Sequence, residues 1–501
     1  MTKVIGIDAY AVYVPRLYVD MANEWPVVRA PQMGEESPEK LRGKVISGVG
    51  VKKMAVPDGH EDSATMAAMA AKRLIDENGI DPSDIGILAI GTETTVDQSK
   101  SMAAYVLGML EDHYGKSLPH VGTPQVQFAC IGATYALEAA VNQFRAGENT
   151  RRYAIIIATD ISKYPLRSAG EYTQGAGAVA LLVCENPRLL ELEPGVTGTV
   201  TRNERDFFRP NWSSTAVVDG KYSIDVYLDC IEGALSEYTS RRAAKRIAHD
   251  GHNGHNGRNG HDGRNGSNGA ETTRSSIYGE LDHLLFHVPF PRMAEYAAAR
   301  VFSTLWESEP SLAGELHKVR ASLENPDDRR ELQRALMKSE AFRAEFSRRT
   351  EPSLELSREI GNVYSASLYL AFASLIEQAV KRGQELEGQR VLFCSYGSGA
   401  SAKVFSGKVA PRWREVASRA RFAEELRPVA DGGRRVEIDV NEYERLHGHA
   451  EVERGHANGV AIIGPPRSVL PPRGEFVLAR LGDAVTPKIT DHGYRYYAFT
   501  G

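Results

Sequence analysis

The stretch VQFACIGATYALEAAVNQF, from Val126 to Phe144, decides the fold because its periodicity changes from strand to helix at Cys130. A short apolar run precedes Cys130, and afterwards small and apolar residues recur at helical spacing. The unpaired N–H groups at a helix start favour a thiolate and lower the pKa of a cysteine placed there. The stretch therefore predicts a nucleophile at Cys130, although a small buried core cysteine explains it equally well.

Strands and helices alternate on both sides of this stretch. Residues 85–95, IGILAIGTETT, read as a buried strand that carries Glu93 at its carboxyl end, and residues 153–161, YAIIIATDI, read as a second buried strand with Asp160. Near-continuous apolar strands that alternate with helices are typical of sheets covered on both faces. The sequence therefore predicts an α/β fold with a layered core.

The same order of elements returns after about residue 200. A buried strand now carries His287, a long apolar helix follows Asn362, and an apolar strand ends at the glycine turn around Ser398. This order predicts two halves related by a pseudo-twofold axis, giving an αβαβα core whose special helix starts share one cleft. A chance recurrence of α/β units is the alternative, because the two halves share few identical residues.

Composition excludes several classes of protein. Hydrophobic residues make up 42% and charged residues 25% of the 501, and the formal net charge is -5, so a soluble globular protein with no nucleic-acid partner is expected. A run of about 18 apolar residues and a signal-peptide core are both missing, which argues against a membrane location. The cysteines lack CxxC spacing, which favours a reducing cytoplasm over disulfides or a zinc site; they are Cys130, Cys184, Cys230 and Cys394.

Three segments stand apart from the repeated pattern. Residues 249–269 form a Gly/Asn/His repeat without an apolar residue, so a disordered insertion is expected, with loose metal binding by its histidines as the weaker alternative. Residues 20–43 contain prolines and predict irregular structure, whereas the charge-rich residues 307–359 predict surface helices. The expected units are therefore residues 1–200, 201–410 with the insertion, and a C-terminal extension, 411–501.

The strand ends and helix starts bring together side chains suited to one reaction class. A cysteine can hold an acyl group as a thioester, and a carboxylate such as Glu93 can remove a proton from the carbon beside it. His287 could donate to an incoming carbonyl oxygen while Asn362 orients it, and backbone N–H groups at Cys130 and in the YGSG turn could form an oxyanion hole. Taken singly, these residues could be a surface charge, a core histidine and a helix cap.

The motifs resemble those of the 3-hydroxy-3-methylglutaryl-CoA synthase family, which belongs to the thiolase-like condensing enzymes. The resemblance covers nearly the whole chain outside the repeat. Its segments follow the family's order from VGVKKM through GTETTVDQSKS, FACIGA, TQGAGAVA, VVDGKYSI, FHVPFPRM, IGNVYSAS and SYGSG to YERLHG and GYRYYAFTG.

The resemblance implies a mechanism and a set of site residues. Acetyl-CoA would acetylate Cys130, Glu93 would deprotonate the acetyl methyl, His287 would polarise the ketone of acetoacetyl-CoA, and the product thioester would be hydrolysed. Substrate contacts are implied for Thr173, Ser223, Asn362 and Ser398. Lys44 and Arg292 are implied near the CoA phosphates. No cofactor or metal is expected beyond the CoA thioesters, and a homodimer formed through the layer beside the nucleophile helix is implied.

The chain departs from the family pattern at positions that the resemblance places near the acyl pocket. Ile131 replaces the usual tyrosine, and Tyr172 stands where bacterial relatives tend to have proline. Arg167 stands where those relatives tend to have asparagine, and it is also implied as a substrate contact. The departures concern the substrate more than the reaction.

Three alternatives stay open. Relatives in polyketide pathways add an acetyl unit to a β-ketoacyl group on a carrier protein, which competes with a role in mevalonate and isoprenoid synthesis. A thiolase or ketoacyl synthase is a weaker alternative, because those enzymes lack this glutamate. An inactive scaffold is disfavoured, because Cys130, Glu93 and His287 are all retained.

Overall fold

The computed structural model describes residues 3–253, 276–417, 422–455, 473–482 and 490–501. Most of the predicted disordered insertion lies outside these residues. Its first five residues, 249–253, are described and are helical, so the prediction of an unstructured segment is wrong there. They extend a 34-residue helix, and each residue added to an existing helix forms one more hydrogen bond at little nucleation cost.

The first half begins the chain and contains the Cys130 stretch. Its elements in chain order are β1 (Ile5–Tyr13), β2 (Leu17–Asp20), α1 (Glu24–Gln32), α2 (Pro38–Gly43), β3 (Lys53–Val56), α3 (Ser63–Asn78), β4 (Ile85–Gly91), α4 (Met102–Tyr114), β5 (Gln125–Val126), α5 (Gly132–Ala146), β6 (Tyr153–Ile161) and β7 (Ala176–Glu185). The strand before Cys130 is thus only two residues long, shorter than its apolar run predicts.

The second half follows directly, and the C-terminal extension comes last. The second half contains β8 (Leu190–Leu192), β9 (Gly198–Thr201), β10 (Phe207–Phe208), β11 (Val217–Val218), α6 (Gly220–Asn253), β12 (His283–Phe286), α7 (Pro291–Leu305), α8 (Pro310–Ala321), α9 (Arg329–Lys338), α10 (Glu340–Arg349), α11 (Glu355–Ile360), α12 (Ser367–Lys381), β13 (Arg390–Gly397) and β14 (Ser401–Val409). The extension contains α13 (Trp413–Ala417), α14 (Phe422–Glu425), β15 (Val436–Glu437), α15 (Val440–Gly455), β16 (Phe476–Leu481) and β17 (Arg495–Phe499).

Both halves repeat one strand order. In the first half β1 pairs antiparallel with β7, β7 pairs antiparallel with β6, and β6 pairs parallel with β4. In the second half β9, β14, β13 and β12 follow one another with the same sequence of antiparallel, antiparallel and parallel pairs. The pseudo-twofold repeat predicted from the order of motifs is therefore confirmed. The unit limits at residues 200 and 410 stay predictions.

Two helices form the layer between the halves. Thr134 on α5 lies 2.9 Å from the Tyr369 hydroxyl on α12 and 2.7 Å from the Ser395 hydroxyl on β13. On the other side, α12 places Phe372 beside Tyr10 of β1, with ring centroids 6.3 Å apart. Helix α3 covers the outer face of the first half and α6 that of the second. The result is the predicted αβαβα stack, with the starts of α5 and α12 in its centre.

Burial explains the long apolar strands. Every residue of β1 is buried, as are the seven central residues of β6, because helices cover both faces of each half's strands. A strand with one wet face would alternate polar and apolar residues instead. The β6 run YAIIIATDI shows no such alternation, and its one acidic residue, Asp160, comes at the end that faces the cleft.

Two segments outside the repeat have contrasting outcomes. Residues 20–43 contain α1 and α2, so the prediction of irregular structure is wrong. Helix α1 accommodates Pro26 because its first-turn N–H groups need no helical acceptor, and Pro31 lies next to its last residue. The prediction of surface helices in residues 307–359 is confirmed by α8, α9 and α10.

Candidate active site

Cys130 and Glu93 form the centre of the cleft. Glu93 lies two residues beyond β4 and Cys130 two residues before α5, and the Cys130 thiol donates to Glu93 Oε1 across 3.7 Å. The end of β4 approaches α5 so closely that a Cβ on Gly91 would lie 2.0 Å from the backbone nitrogen of Ala133. Glycine at that position is therefore what lets the carboxyl and the thiol meet.

A buried carboxylate holds the Glu93 segment in place. Asp160 Oδ1, at the end of β6, accepts hydrogen bonds from the Thr92 hydroxyl at 2.8 Å and from the N–H groups of Glu93 and Thr94 at 2.9 Å. Its Oδ2 accepts from the backbone and hydroxyl of Ser365, just before α12. Asp160 thus fixes the Glu93 backbone relative to the second half.

The electrostatics of the pair differ from the sequence prediction. Burial, followed by the charge of Glu93, raises the pKa of the Cys130 thiol well above its usual range. The prediction that the helix start lowers this pKa is therefore wrong in the ligand-free protein, because the thiol lies among carboxyl groups and α5 begins only at Gly132. Burial also raises the pKa of Glu93 to about 8, against the opposing charge of Arg209. Near neutral pH the pair therefore holds two protons.

An aromatic cluster that the sequence reasoning missed surrounds the thiol. The rings of Tyr164, Phe207 and Tyr364 meet nearly edge to face, with centroids 6.0 to 6.4 Å apart, and Cys130 packs against them. The three rings belong to a loop, a strand of two residues and a 3-10 turn, all too short for periodicity to carry a signal. Together they form an apolar wall that could exclude water from a thioester on Cys130.

His287 lies at the end of β12, in the second half. Its backbone N–H donates to the Cys394 carbonyl at 2.9 Å, and its ring neighbours those of Tyr227 and Tyr396. Burial lowers the pKa of His287 to about 3, so the imidazole is neutral at neutral pH. Within the described part of the chain, its Nδ1 has no hydrogen-bond partner.

The glycine turn after β13 brings the His287 region against the nucleophile. A Cβ on Gly397 would lie 2.7 Å from Ile131 Cγ2 and 2.8 Å from Ile131 N, so this turn touches the backbone beside Cys130. The N–H groups of Cys130 and Ser398 make no hydrogen bond to any other described residue. Both are therefore available to an oxyanion, and the predicted oxyanion hole stays a prediction.

Asn362 serves the capping role considered for it, and its contact with substrate stays a prediction. Its Oδ1 accepts from the Tyr364 N–H and the Ser367 hydroxyl, each at 2.9 Å, so it does cap the turn that leads into α12. Its backbone N–H donates to the Thr173 carbonyl at 2.9 Å, which joins two predicted contact residues. The Thr173 hydroxyl itself is used by the Gly170 carbonyl.

A second buried carboxylate organises Ser223 and the turn that holds Ser398. Asp206 Oδ2 accepts from the hydroxyls of Ser223 at 3.0 Å and Tyr396 at 3.1 Å, and Oδ1 accepts from the Gly399 N–H at 3.1 Å. Asp206 immediately precedes β10. It therefore ties the aromatic cluster to the His287 side of the cleft.

Lys44 and Arg292 meet at one turn of helix, and their predicted role near the CoA phosphates stays a prediction. Lys44 begins a turn of π-helix that ends at Val49, and Arg292 donates to two carbonyls of that turn, those of Ser47 and Gly48. Both side chains are partly exposed, and each also has an acidic partner, Glu35 for Lys44 at 2.6 Å and Glu295 for Arg292. The turn thus carries two partly exposed cations, each paired with a glutamate.

The three positions that depart from the family pattern have different surroundings in the structure. Ile131 is fully buried against Gly397, and Tyr172 packs edge-on against Trp25, 6.1 Å away. The Arg167 side chain is 54% exposed and lies 3.8 Å from Glu444 of α15. The expectation that these three changes shape the acyl pocket stays a prediction, and Ile131 is the one of the three that lies directly beside Cys130.

The metal hypothesis concerned the histidines of the repeat, whose side chains lie outside the described residues. Among the residues that the structure does describe, no cluster of histidine, cysteine or carboxylate side chains could hold a metal ion. The same described residues include no helix long and apolar enough to cross a bilayer.

Known proteins resemble this chain along nearly its whole length. A family model of the hydroxymethylglutaryl-coenzyme A synthase N terminus matches residues 1–187, and one of the C terminus matches residues 190–427. Hydroxymethylglutaryl-CoA synthase of Haloferax volcanii is 33% identical over 452 residues, which cover 88% of this chain and 91% of that protein.

Solved structures agree with these sequence comparisons. MvaS in complex with 3-hydroxy-3-methylglutaryl coenzyme A has 33% identity and a TM-score of 0.77 over 100% of both chains. The HMG synthase of the curacin biosynthetic pathway, in complex with acetyl donor-ACP, has a TM-score of 0.69 over 99% of this chain and 100% of that one. At 24% identity this second likeness concerns the fold alone. The thiolase-like fold is thereby confirmed.

Proposed function

Since this chain belongs to the hydroxymethylglutaryl-CoA synthase family of acyl-transferring condensing enzymes, we propose that it joins acetyl-CoA, acetoacetyl-CoA and water into 3-hydroxy-3-methylglutaryl-CoA and CoA. The observation that carries the proposal is the contact of 3.7 Å between the Cys130 thiol and Glu93 inside an aromatic pocket. A nucleophile beside a buried general base is what acyl transfer followed by carbon–carbon bond formation requires.

The first step transfers the acetyl group. The Cys130 sulfur attacks the carbonyl carbon of acetyl-CoA, the carbon–sulfur bond to CoA breaks, and the proton lost by the thiol ends on the departing CoA sulfur. The developing oxyanion is stabilised by the N–H groups of Cys130 and Ser398, to which no described residue is hydrogen-bonded.

The second step forms the new carbon–carbon bond. The Glu93 carboxylate removes a proton from the methyl group of acetyl-Cys130, and the resulting enolate carbon attacks the ketone of acetoacetyl-CoA. Since burial raises the pKa of Glu93 to about 8, its carboxylate is a stronger base than an exposed glutamate. The proton that Glu93 takes from the methyl group balances the one that the tertiary alkoxide takes up to become an alcohol.

The second half orients the acceptor. The neutral imidazole of His287 donates its single N–H to the ketone oxygen. The Asn362 side-chain oxygen already accepts two hydrogen bonds, so its amide nitrogen is the atom that donates to the acceptor. Water then attacks the thioester, which releases the product carboxylate and restores the Cys130 thiol. No step needs a cofactor beyond the CoA thioesters.

We further propose that CoA carries the acceptor. Lys44 and Arg292 support this, because they lie together at one turn of helix, partly exposed, where phosphates of CoA could replace their glutamate partners. The mevalonate route to isoprenoid precursors follows from that choice of substrate, and a carrier-protein acceptor is the alternative that the test must exclude.

The assembly and location are proposals of the same kind. A homodimer is supported by β5, which lies at the edge of the sheet beside α5 and whose two residues are only half-buried. A cytoplasmic location is supported by the four cysteines, all of which are free.

Purified protein should be incubated with acetyl-CoA and either acetoacetyl-CoA or an acetoacetyl carrier protein. The proposal predicts 3-hydroxy-3-methylglutaryl-CoA and free CoA in the first reaction and little turnover in the second. Faster turnover of the carrier protein would replace the proposed acceptor, and no product in either reaction would refute the proposed function.

A further inference from the structure

Arg209 reaches the centre of the active site from a short hairpin. It follows β10 directly, and its Nη2 donates to the backbone carbonyl of Glu93. The hairpin is held on both sides of Arg209: Asp206 binds Ser223 and Tyr396, and the Ala216 N–H donates to the Lys163 carbonyl at 3.4 Å. The guanidinium is therefore positioned by the fold and does not reach the site as a loose surface side chain.

The groups that face the Glu93–Cys130 pair are mostly acidic. Asp160 on β6 faces Glu93 across three hydrogen bonds to its segment, and Tyr164 and Tyr364 wall the thiol. The phenol of Tyr227, on α6, is near enough to Cys130 to be affected by its charge. His287 is neutral at neutral pH. Among the described residues, Arg209 is the cation whose charge acts on Glu93.

Arg209 opposes the other influences on the pair. Burial raises the pKa of Glu93 and of the Cys130 thiol, and Asp160 raises both further, whereas the charge of Arg209 lowers both. The same charge lowers the pKa of the two neighbouring phenols against their burial. Each acidic group at the site would thus be harder to ionise without the guanidinium.

We propose that Arg209 is a positioning residue that supplies the positive charge needed to ionise Cys130 for acetylation and Glu93 for proton abstraction. Its hydrogen bond to the Glu93 carbonyl fixes the distance at which that charge acts. The part that concerns condensation rests on the proposed function, whereas the part that concerns thiol ionisation does not.

The experiment compares two substitutions that separate charge from hydrogen bonding. Arg209→Lys keeps the charge, and Arg209→Gln keeps an N–H donor but removes the charge. Arg205→Gln is the matched control, since Arg205 is an exposed arginine four residues earlier in the same segment. The readout is the rate at which iodoacetamide alkylates the peptide containing Cys130, followed by mass spectrometry across pH 6 to 10, because only the thiolate reacts.

The expected result is an alkylation profile for Arg209→Gln displaced by about one pH unit to higher pH, which is about a tenfold slower reaction at fixed pH. Arg209→Lys should stay near the unsubstituted protein, and Arg205→Gln should match it. The condensation rate of Arg209→Gln should shift to higher pH in the same direction.

An unchanged alkylation profile in a folded Arg209→Gln protein would overturn the proposal. Equal losses in the Lys and Gln variants would also overturn it, because they would indicate a steric role. If the unsubstituted protein makes no 3-hydroxy-3-methylglutaryl-CoA, the proposed function fails, but the alkylation profiles still decide the role of Arg209.

Discussion

The two halves of the molecule use one strand order, but burial shifts the pKa values of their strand-end side chains in opposite directions. Burial raises the pKa of Glu93 in the first half to about 8 and lowers that of His287 in the second half to about 3. Burial disfavours whichever form is charged, so the carboxyl holds its proton and the imidazole stays neutral. The duplicated scaffold thereby provides, on one side of the cleft, a carboxyl that is a strong proton acceptor once it ionises and, on the other side, a neutral hydrogen-bond donor.

Each half also uses one buried carboxylate as an anchor. Asp160 ties the Glu93 segment to Ser365 of the second half, and Asp206 ties Ser223 to the turn after β13. Neither carboxylate contacts the thiol in these bonds. The comparison suggests that the first half performs the acyl and proton chemistry while the second half orients the acceptor, and each prediction below tests one side of that division.

The largest effect is expected at Cys130. Cys130→Ser should abolish acetylation, because a serine hydroxyl in this acidic, buried site has no base strong enough to ionise it. Mass spectrometry after incubation with acetyl-CoA should show the added acetyl mass on the Cys130 peptide of the unsubstituted protein alone. All three other cysteines are buried, so none is expected to react. An acetyl group found on Cys184, Cys230 or Cys394 would contradict the assignment of Cys130 as the nucleophile.

His287→Asn should impair the acceptor side and spare the donor side. The asparagine cannot place a donor where the imidazole N–H lies, so condensation should slow by about a hundredfold and KM for acetoacetyl-CoA should rise, while acetylation of Cys130 proceeds. The matched control is His283→Asn, since His283 is a buried histidine at the start of the same strand, with its ring nitrogen 2.7 Å from Gln389. If acetylation falls as much as condensation, the proposed division between the halves fails.

The raised pKa of Glu93 should also be visible in stability. Because the folded protein binds this proton more tightly than the unfolded chain, the free energy of unfolding should fall as pH rises from about 4.5 to about 8. Glu93→Gln, which stays neutral, should lose that slope and be more stable at pH 8 by about 1 to 3 kcal/mol. Urea unfolding at pH 5 and pH 8 measures the effect, with exposed Glu340→Gln as the control; equal slopes in all three proteins would show that burial does not govern Glu93.

The smallest effect is expected from the repeat insertion. Residues 254–269 contain no apolar side chain that could offset the entropy of ordering them, so a short Gly/Ser replacement should leave activity and melting temperature unchanged. Both are measured on the purified replacement protein. A large loss of activity or of melting temperature would show that this segment contributes to catalysis or to stability.

The strand ends were predictable from sequence because long apolar strands carry a strong signal. The runs before Glu93 and His287 identify buried strands, and the change of periodicity at Cys130 identifies a helix start. The electrostatics of the cleft that these elements form together were not readable in the same way. The lowered thiol pKa was predicted wrongly because nothing local shows that Glu93 and Asp160 meet Cys130 in space.

The site residues and the helix that the sequence did not predict lie in segments too short or irregular to show a periodic pattern. Arg209 and Phe207 belong to a hairpin whose strands are two residues long, so neither periodicity nor spacing distinguishes them from surface residues. Helix α1 was missed because Pro26 and Pro31 indicate irregular structure unless their positions in the helix are known. Both failures concern short elements stabilised by tertiary contacts.

The most direct test of the account is the separation of the two half-reactions in Glu93→Ala. Removing the carboxyl should leave Cys130 able to take acetyl from acetyl-CoA, because acyl transfer breaks no carbon–hydrogen bond. Condensation with acetoacetyl-CoA should slow by about a hundredfold to ten-thousandfold. Thermal melting of the same protein excludes a general loss of folding. An acetyl-enzyme that forms normally but does not condense is the predicted result, and condensation at the normal rate would contradict the proposed mechanism.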